Sequence, residues 1–208
     1  MEDRPHELKT AAALVVHVIR DQIHTDKTPF LVALDGGSGA GKSSVAELIA
    51  RALNAVLIQC DDFYAGHISN AEWEGRSPAQ RAADALDWRR LRAEVLEPLL
   101  ARKTAKWHPF DFASKRPDGT YPMRTDFVER QPADVIILDG AYTSRCELAD
   151  LINLSVLIDV PVHIRHERLA AREDSHFLAA WHARWDAAEA YYFTQLRPKS
   201  SFDLVVTC

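Results

Sequence analysis

Gly36, Gly41, Lys42 and Ser43 stand at the spacing G-x-x-x-x-G-K-[ST], inside the run Gly36-Gly37-Ser38-Gly39-Ala40-Gly41-Lys42-Ser43-Ser44. Glycines let the main chain curl without side chains in the way, so successive N–H groups can converge on one set of phosphate oxygens. A helix starting where the loop ends adds the partial positive charge of its N-terminus. A lysine brings a full charge to the terminal phosphates, and a serine hydroxyl can ligate Mg²⁺. Residues 36–44 are therefore expected to hold the phosphates of a nucleotide, with Lys42 on the terminal ones and Ser43 on the metal.

Other residues could complete that chemistry. The pair Asp61-Asp62 follows the apolar run Ala55-Val-Leu-Ile-Gln-Cys60 and precedes Phe63-Tyr64. Ligands of open α/β sheets bind beyond the carboxyl ends of strands, so an acid there can meet a hydroxyl near a γ-phosphate. Successive strand residues face opposite ways, so only one of the two is expected to face the phosphates. Val135-Ile-Ile-Leu-Asp139 is four apolar residues followed by an acid, the form of a Walker B segment, whose acid reaches Mg²⁺ directly or through water. Gly140, not a glutamate, follows Asp139, which points to transfer onto a bound acceptor rather than onto water. Arg165, Arg168 and Arg172 share one helix face, where a closing lid could neutralise charge on a transferring phosphoryl group.

The elements that must position these groups can be read from periodicity. Phe30–Asp35 is a buried strand running into the loop, and Ser44–Leu53 has the spacing of the helix that follows. Residues 7–24 carry Leu8, Ala12, Val15, Ile19 and Ile23 on one helix face. Ala55–Cys60, Val135–Asp139, Leu154–Asp159 and Phe202–Thr207 read as further strands. Residues 65–77 read as a loop over the site, Ala79–Leu86 as a helix, and Asp87 as the cap of another helix running to Leu100. Pro117-Asp118-Gly119 is a turn signal flanked by aromatics, so residues 105–127 are expected to form a small β-hairpin insertion. Residues 177–193 form an aromatic-rich helix in which Trp181 and Trp185 are expected in the core.

Bulk composition narrows the class. At 208 residues and 47% hydrophobic content, a single α/β domain spanning 1–208 is expected. A formal net charge of −5 gives no support to nucleic-acid binding. Three cysteines, with no C-x-x-C spacing, fit neither a disulfide framework nor a zinc site. No apolar run is long enough to span a membrane and no signal-peptide pattern opens the chain, so a cytoplasmic protein without a membrane partner is expected. The nine histidines show no metal-ligand spacing.

Taken together, Asp35-Gly-Gly-Ser-Gly-Ala-Gly-Lys-Ser-Ser44, Asp61-Asp-Phe-Tyr64, Asp87-Trp88, Phe110-Asp-Phe112, Val135–Gly140 and Asp159-Val-Pro161 with the three arginines resemble the uridine kinase-like family of P-loop kinases. The resemblance runs from about residue 30 to the last strand. It implies a three-layer P-loop kinase fold: a mostly parallel five-stranded sheet flanked by helices, a β-hairpin over the acceptor, and a small arginine lid at 161–176. It implies ATP as donor, Mg²⁺, and a small molecule with a hydroxyl as acceptor. By the same resemblance Asp61 is the general base and lies near the metal, and Asp139 falls on the acidic metal residue. Asp87 falls where ribose hydroxyls are bound. Tyr64 and Phe110 fall on the substrate site, as do Arg165 and Arg168, while Arg172 falls in the lid. The family's uridine kinases carry Tyr-Asp-Phe followed by a histidine, whereas this chain has Phe110-Asp-Phe112 with Lys115 at the histidine position. A lysine favours an anionic acceptor.

Three functions are thus compatible with the sequence: a uridine or cytidine kinase, a kinase of another small hydroxylated metabolite, anionic or not, or a nucleotide-binding regulatory module. Any of them could act as a homo-oligomer.

Overall fold

The computed structural model describes residues 4–23, 29–172 and 175–208. Helix α1 (Arg4–Gln22) leads into strand β1 (Phe30–Asp35), every residue of which is buried. Such an unbroken apolar run belongs to a strand covered on both faces. After the glycine loop come helix α2 (Lys42–Leu53) and strand β2 (Val56–Gln59), then the short helices α3 (Asn70–Gly75) and α4 (Pro78–Asp84). Ser69 and Ser77 open α3 and α4 with reciprocal capping boxes to Glu72 and Gln80.

Helix α5 spans 88–100 and opens on Asp87, whose side chain accepts from the Arg90 N–H. It widens into a π-helix over Leu91–Leu96 before closing over Glu97–Leu100. Pro98 lacks an N–H to continue the ordinary ladder, which accounts for irregularity at this place.

Strands β3 (Ala105–Trp107) and β4 (Val128–Arg130) pair antiparallel, and Phe110 bridges Met123 between them. The expected hairpin insertion is therefore present and runs slightly further than 127. Its inner turn is held by Asp118, which accepts from the N–H and hydroxyl of Thr120. Strands β5 (Val135–Asp139) and β6 (Leu154–Ile158) follow, then helices α6 (Val162–Ala170) and α7 (Ser175–Tyr191) and the last strand β7 (Leu204–Val206). Of the lid expected at 161–176, α6 is the described helix; residues 173 and 174 and the side chains of 175–177 lie outside the described residues.

The five-stranded sheet has the order β2-β5-β1-β6-β7 and is parallel throughout. Alternation along each strand divides the core in two. Val32, Leu34 and Ile137 pack with Val15 and Ile19 of α1 and Val45 and Ile49 of α2. Leu31, Ile136 and Leu138 point the other way, onto Leu91, Val95 and Leu99 of α5 and Trp185 and Tyr192 at the end of the chain. The result is a three-layer α/β P-loop kinase fold, with β1 and β5 adjacent at the centre and the loops after them opening side by side. No helix among the described residues is long and apolar enough to cross a membrane.

Candidate functional site

The loop after β1 is curled by its glycines. Gly41 caps α2 at φ 94°, a left-handed conformation that a side chain would strain. At Gly37 a Cβ would lie 2.1 Å from Arg165 Nη1, so a larger residue would push that guanidinium away from the loop. Lys42 Nζ donates to the carbonyls of Gly36 (2.8 Å) and Gly37 (3.0 Å), folding the charge over the loop.

Asp35, the last residue of β1, is fully buried and anchors the floor. Its carboxylate accepts from the N–H groups of Gly36 (2.8 Å), Tyr142 (3.0 Å) and Ser144 (2.9 Å), and from the Tyr192 hydroxyl (2.8 Å). Burial raises its pKa, and these donors and the charge of Lys42 oppose the rise. This one side chain ties the glycine loop to the loop after β5 and to Tyr192, which directly follows α7. Tyr142 is held at φ 64° by its bond to Asp35, a left-handed conformation uncommon for an aromatic residue.

A cavity of about 670 Å³ opens above this floor. At its polar end lie Ser38, Gly39, Gly41, Lys42, Ser43 and Ser44 of the loop, with Asp61 and Asp139 opposite. Asp139 is buried at the end of β5, with Ser43 close enough to favour its charged form. Burial raises its pKa; Lys42 opposes this and Asp61 adds to it. Asp139 Oδ1 is buried with no hydrogen-bond partner among the described residues. A buried carboxylate oxygen without a donor, beside a hydroxyl and a second carboxylate, is a hard-oxygen set of the kind Mg²⁺ takes. Ser43, Asp61 and Asp139 therefore fit that ion.

The two aspartates of the pair part company, as expected, although they sit in a 3₁₀ turn (Cys60–Phe63) beyond β2 rather than on the strand. Asp61 faces the main cavity. Asp62 borders a separate cavity of about 450 Å³ and accepts from the Trp107 indole N–H at 2.8 Å. Burial raises the Asp62 pKa, and that indole bond offsets part of it.

The other end of the cavity is apolar and aromatic: Tyr64, Leu86, Phe112, Leu178, Trp181 and Trp185. Trp185 is buried in the core and also stands edge-on to Tyr64 at 6.1 Å, so the expectation of core alone holds only in part for the tryptophans. Burial pushes the Tyr64 hydroxyl up to about 12, against the pull of nearby Arg184.

Several residues expected here do not line the cavity. Arg165 turns the other way: its Nη1 donates to Ser38 O (2.9 Å) and to Glu189 Oε2 (2.8 Å), because the buried carboxylate of α7 is the strongest partner within reach. Arg168 does border the cavity, yet its guanidinium donates to Ala40 O (3.1 Å) and Cys208 O (3.0 Å), bracing the loop. Asp87 is engaged as the cap of α5. Phe110 packs against Tyr64 (5.3 Å) and Tyr121 (5.6 Å) behind the cavity wall, leaving Phe112 as the hairpin's lining residue. Lys115 is exposed outside the cavity lining. Arg172 does line it, beside Ala171 and Leu178.

Sequence reading missed Glu189. It accepts from both the N–H (2.9 Å) and the hydroxyl (2.6 Å) of Ser38 while pairing with Arg165. An isolated glutamate in an aromatic helix carries no signal that it will meet a loop 151 positions earlier.

A parallel sheet in this order, with a glycine loop after its central strand, Lys42 over that loop and two acids facing it, defines a P-loop kinase. Comparison with known proteins agrees. A model described as Zeta toxin matches residues 16–104. The uridine kinase of Lactobacillus johnsonii is 31% identical over 153 residues, covering 71% of this chain and 69% of that one. Among solved structures, a possible uridine kinase from Bacillus stearothermophilus superposes with a TM-score of 0.71 at 19% identity, over 96% of this chain and 99% of that one. D-glycerate 3-kinase from Cryptococcus neoformans reaches 0.54 at 14% identity, over 93% and 86%. The chain belongs to the uridine kinase-like family of P-loop kinases and is an ATP-dependent small-molecule kinase.

Proposed function

We propose that this kinase transfers the γ-phosphoryl group of ATP to a hydroxyl of a nucleoside, uridine or cytidine being the first candidates. The observation that carries the reading is the two-ended cavity: phosphate-binding backbone, Lys42 and two acids at one end, a wall of aromatic rings at the other. Its volume suits a small ligand, and aromatic faces take planar bases.

In this reading the amides of residues 36–44 hold the phosphates, and Lys42 leaves the carbonyls of Gly36 and Gly37 for the terminal phosphates. Ser43, Asp61 and Asp139 hold Mg²⁺, which when bound supplies positive charge to the phosphate oxygens. Asp61 takes the proton of the acceptor hydroxyl. That oxygen bonds to the γ-phosphorus in line as the bond to the β,γ-bridging oxygen breaks and ADP departs. Arg172 offsets the charge that spreads over the phosphoryl oxygens. The hairpin at 105–127 contributes Phe112 to the acceptor wall.

A second reading has one observation behind it. Arg184 lies near the Tyr64 hydroxyl, outside the cavity lining, with its guanidinium donating to Asn70 Oδ1 at 2.9 Å; on leaving Asn70 it would bring a cation to the aromatic wall. An anionic hydroxylated metabolite would use it, in place of the role expected for Lys115.

The test is Mg²⁺-dependent ADP release from ATP with uridine, cytidine, and a panel of sugars and hydroxy acids. Strong release with a pyrimidine nucleoside supports the first reading. Release only with a hydroxy acid, lost on Arg184→Ala, overturns it in favour of the second.

A further inference from the structure

Helices α6 and α7 meet at a cluster that the kinase reading does not use. His182 and Asp186 lie one turn apart on α7, and His182 Nδ1 is 3.0 Å from Asp186 Oδ1. From α6, His166 Nε2 approaches Asp186 Oδ2 at 3.4 Å. The two imidazole rings lie 4.0 Å apart, and the potential ligand atoms of all three residues fall within 4.8 Å of one another. We infer that His166, His182 and Asp186 form a binding site for a borderline divalent transition metal, Zn²⁺ foremost.

Two arguments support the donor set. Ligand atoms at 2.0–2.1 Å from a tetrahedral Zn²⁺ must be roughly 3.3 Å apart. The imidazole approaches to Asp186, 3.0 Å to Oδ1 and 3.4 Å to Oδ2, are near that separation, and with all the ligand atoms within 4.8 Å of one another the three side chains need only draw in to share one ion. Two imidazoles and one carboxylate also suit Zn²⁺, Ni²⁺ or Cu²⁺ far better than Mg²⁺, which wants oxygen alone. Three protein ligands leave a position for water. The cluster is half-buried, with side-chain exposures of 35% for His166, 26% for His182 and 42% for Asp186, so an ion can reach it from solvent. The histidines show no metal-ligand spacing along the sequence, and spacing along one segment cannot reveal donors that two helices bring together. Here the third donor comes from a different helix.

The consequence lies in what the two helices carry. Arg165 and Arg168 of α6 donate to carbonyls of the phosphate loop, and Glu189 of α7 accepts from Ser38 in the same loop. An ion joining His166 to His182 and Asp186 clips together the two helices that brace the loop from its outer side. The site is thus structural and distinct from the Ser43, Asp61 and Asp139 set.

The test is a Zn²⁺ titration of the full chain, with excess Mg²⁺ present to fill all-oxygen sites, and with its cysteines alkylated. One equivalent of Zn²⁺ is expected to bind and raise the melting temperature. His182→Ala and His166→Ala should each weaken binding at least tenfold and abolish the rise, while His163→Ala leaves both unchanged. Co²⁺ in place of Zn²⁺ should give a visible spectrum of nitrogen and oxygen ligation that is lost in His182→Ala. Circular dichroism confirms that each variant is folded, and His182→Asn serves if the alanine variant is not. Uptake that survives in the folded His166 and His182 variants, or no uptake by the parent chain, overturns the proposal and leaves a carboxylate hydrogen-bonded to two histidines.

Discussion

The two ends of the cavity are built by different means. The phosphate end comes almost entirely from one run of sequence, Gly36–Ser44, locked from below by Asp35 and from outside by Arg165, Arg168 and Glu189. The apolar end, where the proposed function seats the acceptor, is assembled from Tyr64 after β2, Leu86 before α5, Phe112 in the hairpin and Leu178, Trp181 and Trp185 on α7. The first is a backbone device, fixed by turn geometry and a fully bonded buried acid. The second is a wall of side chains from separate segments; Leu86 and Trp185 are also core, whereas exposed Phe112 can vary with little cost to the fold. A family built this way can keep its donor chemistry while changing what it phosphorylates.

The sharpest way to break the comparison is at the phosphate end. Lys42→Ala should lower turnover by about 10³-fold, the scale of losing a charge aimed at the transition state. The melting temperature should fall only modestly: the two loop carbonyls can turn to water, and the lost charge is one of several groups that offset the burial of Asp35 and Asp139. Activity near the parent level would remove Lys42 from catalysis. Next comes the aspartate pair. Asp61→Asn should cost about 10²-fold or more in turnover, as loss of a general base does. Asp62→Asn should cost far less, because Asp62 faces Trp107 and a different cavity. The reverse result would exchange their roles.

Asp139→Asn tests the metal set with two readouts of opposite sign. The apparent Mg²⁺ affinity should fall about 10- to 100-fold. Stability should not. Burial raises the Asp139 pKa above its ordinary value, so the folded chain holds this proton more tightly than the unfolded one does. Asp139 then favours the fold least at neutral pH and progressively more as pH falls through its raised pKa, levelling off below the ordinary carboxylate value near 3.8. Removing the charge should therefore leave the metal-free melting temperature at pH 7 unchanged or higher. A marked fall would mean that the carboxylate is structural.

How much of this was legible in the sequence follows the same division. The strands Phe30–Asp35 and Val135–Asp139 and the loop between β1 and α2 were readable because a buried parallel strand is one apolar run and a phosphate loop is one contiguous pattern. Alternation predicts that the two aspartates part, but the pair lies in a 3₁₀ turn, whose geometry and not a strand's sends Asp61 to the main cavity and Asp62 to the other. The arginines were not readable, since a 3.6-residue period places Arg165, Arg168 and Arg172 on one face without saying what that face meets. Glu189 decided it by drawing Arg165 outward. The clamp on Ser38 and the histidine cluster depend on α7 returning to the loop and to α6, which no local signal encodes.

The smallest expected effects decide where specificity resides. The resemblance put weight on Phe110 and Lys115; the cavity puts it on Phe112. Phe112 lines the acceptor end and stacks on Tyr121 with 6° between the rings, 5.6 Å apart. Phe112→Ala should raise KM for the acceptor about tenfold, in keeping with loss of one stacking surface, and leave KM for ATP unchanged. Lys115→Ala should shift either constant by no more than about twofold, the scale of an exposed substitution. Steady-state kinetics with the acceptor that the ADP-release panel selects will separate them. If Lys115→Ala has the larger effect, the hairpin must close over the bound acceptor and carry Lys115 to it, and the wall described here is its open form.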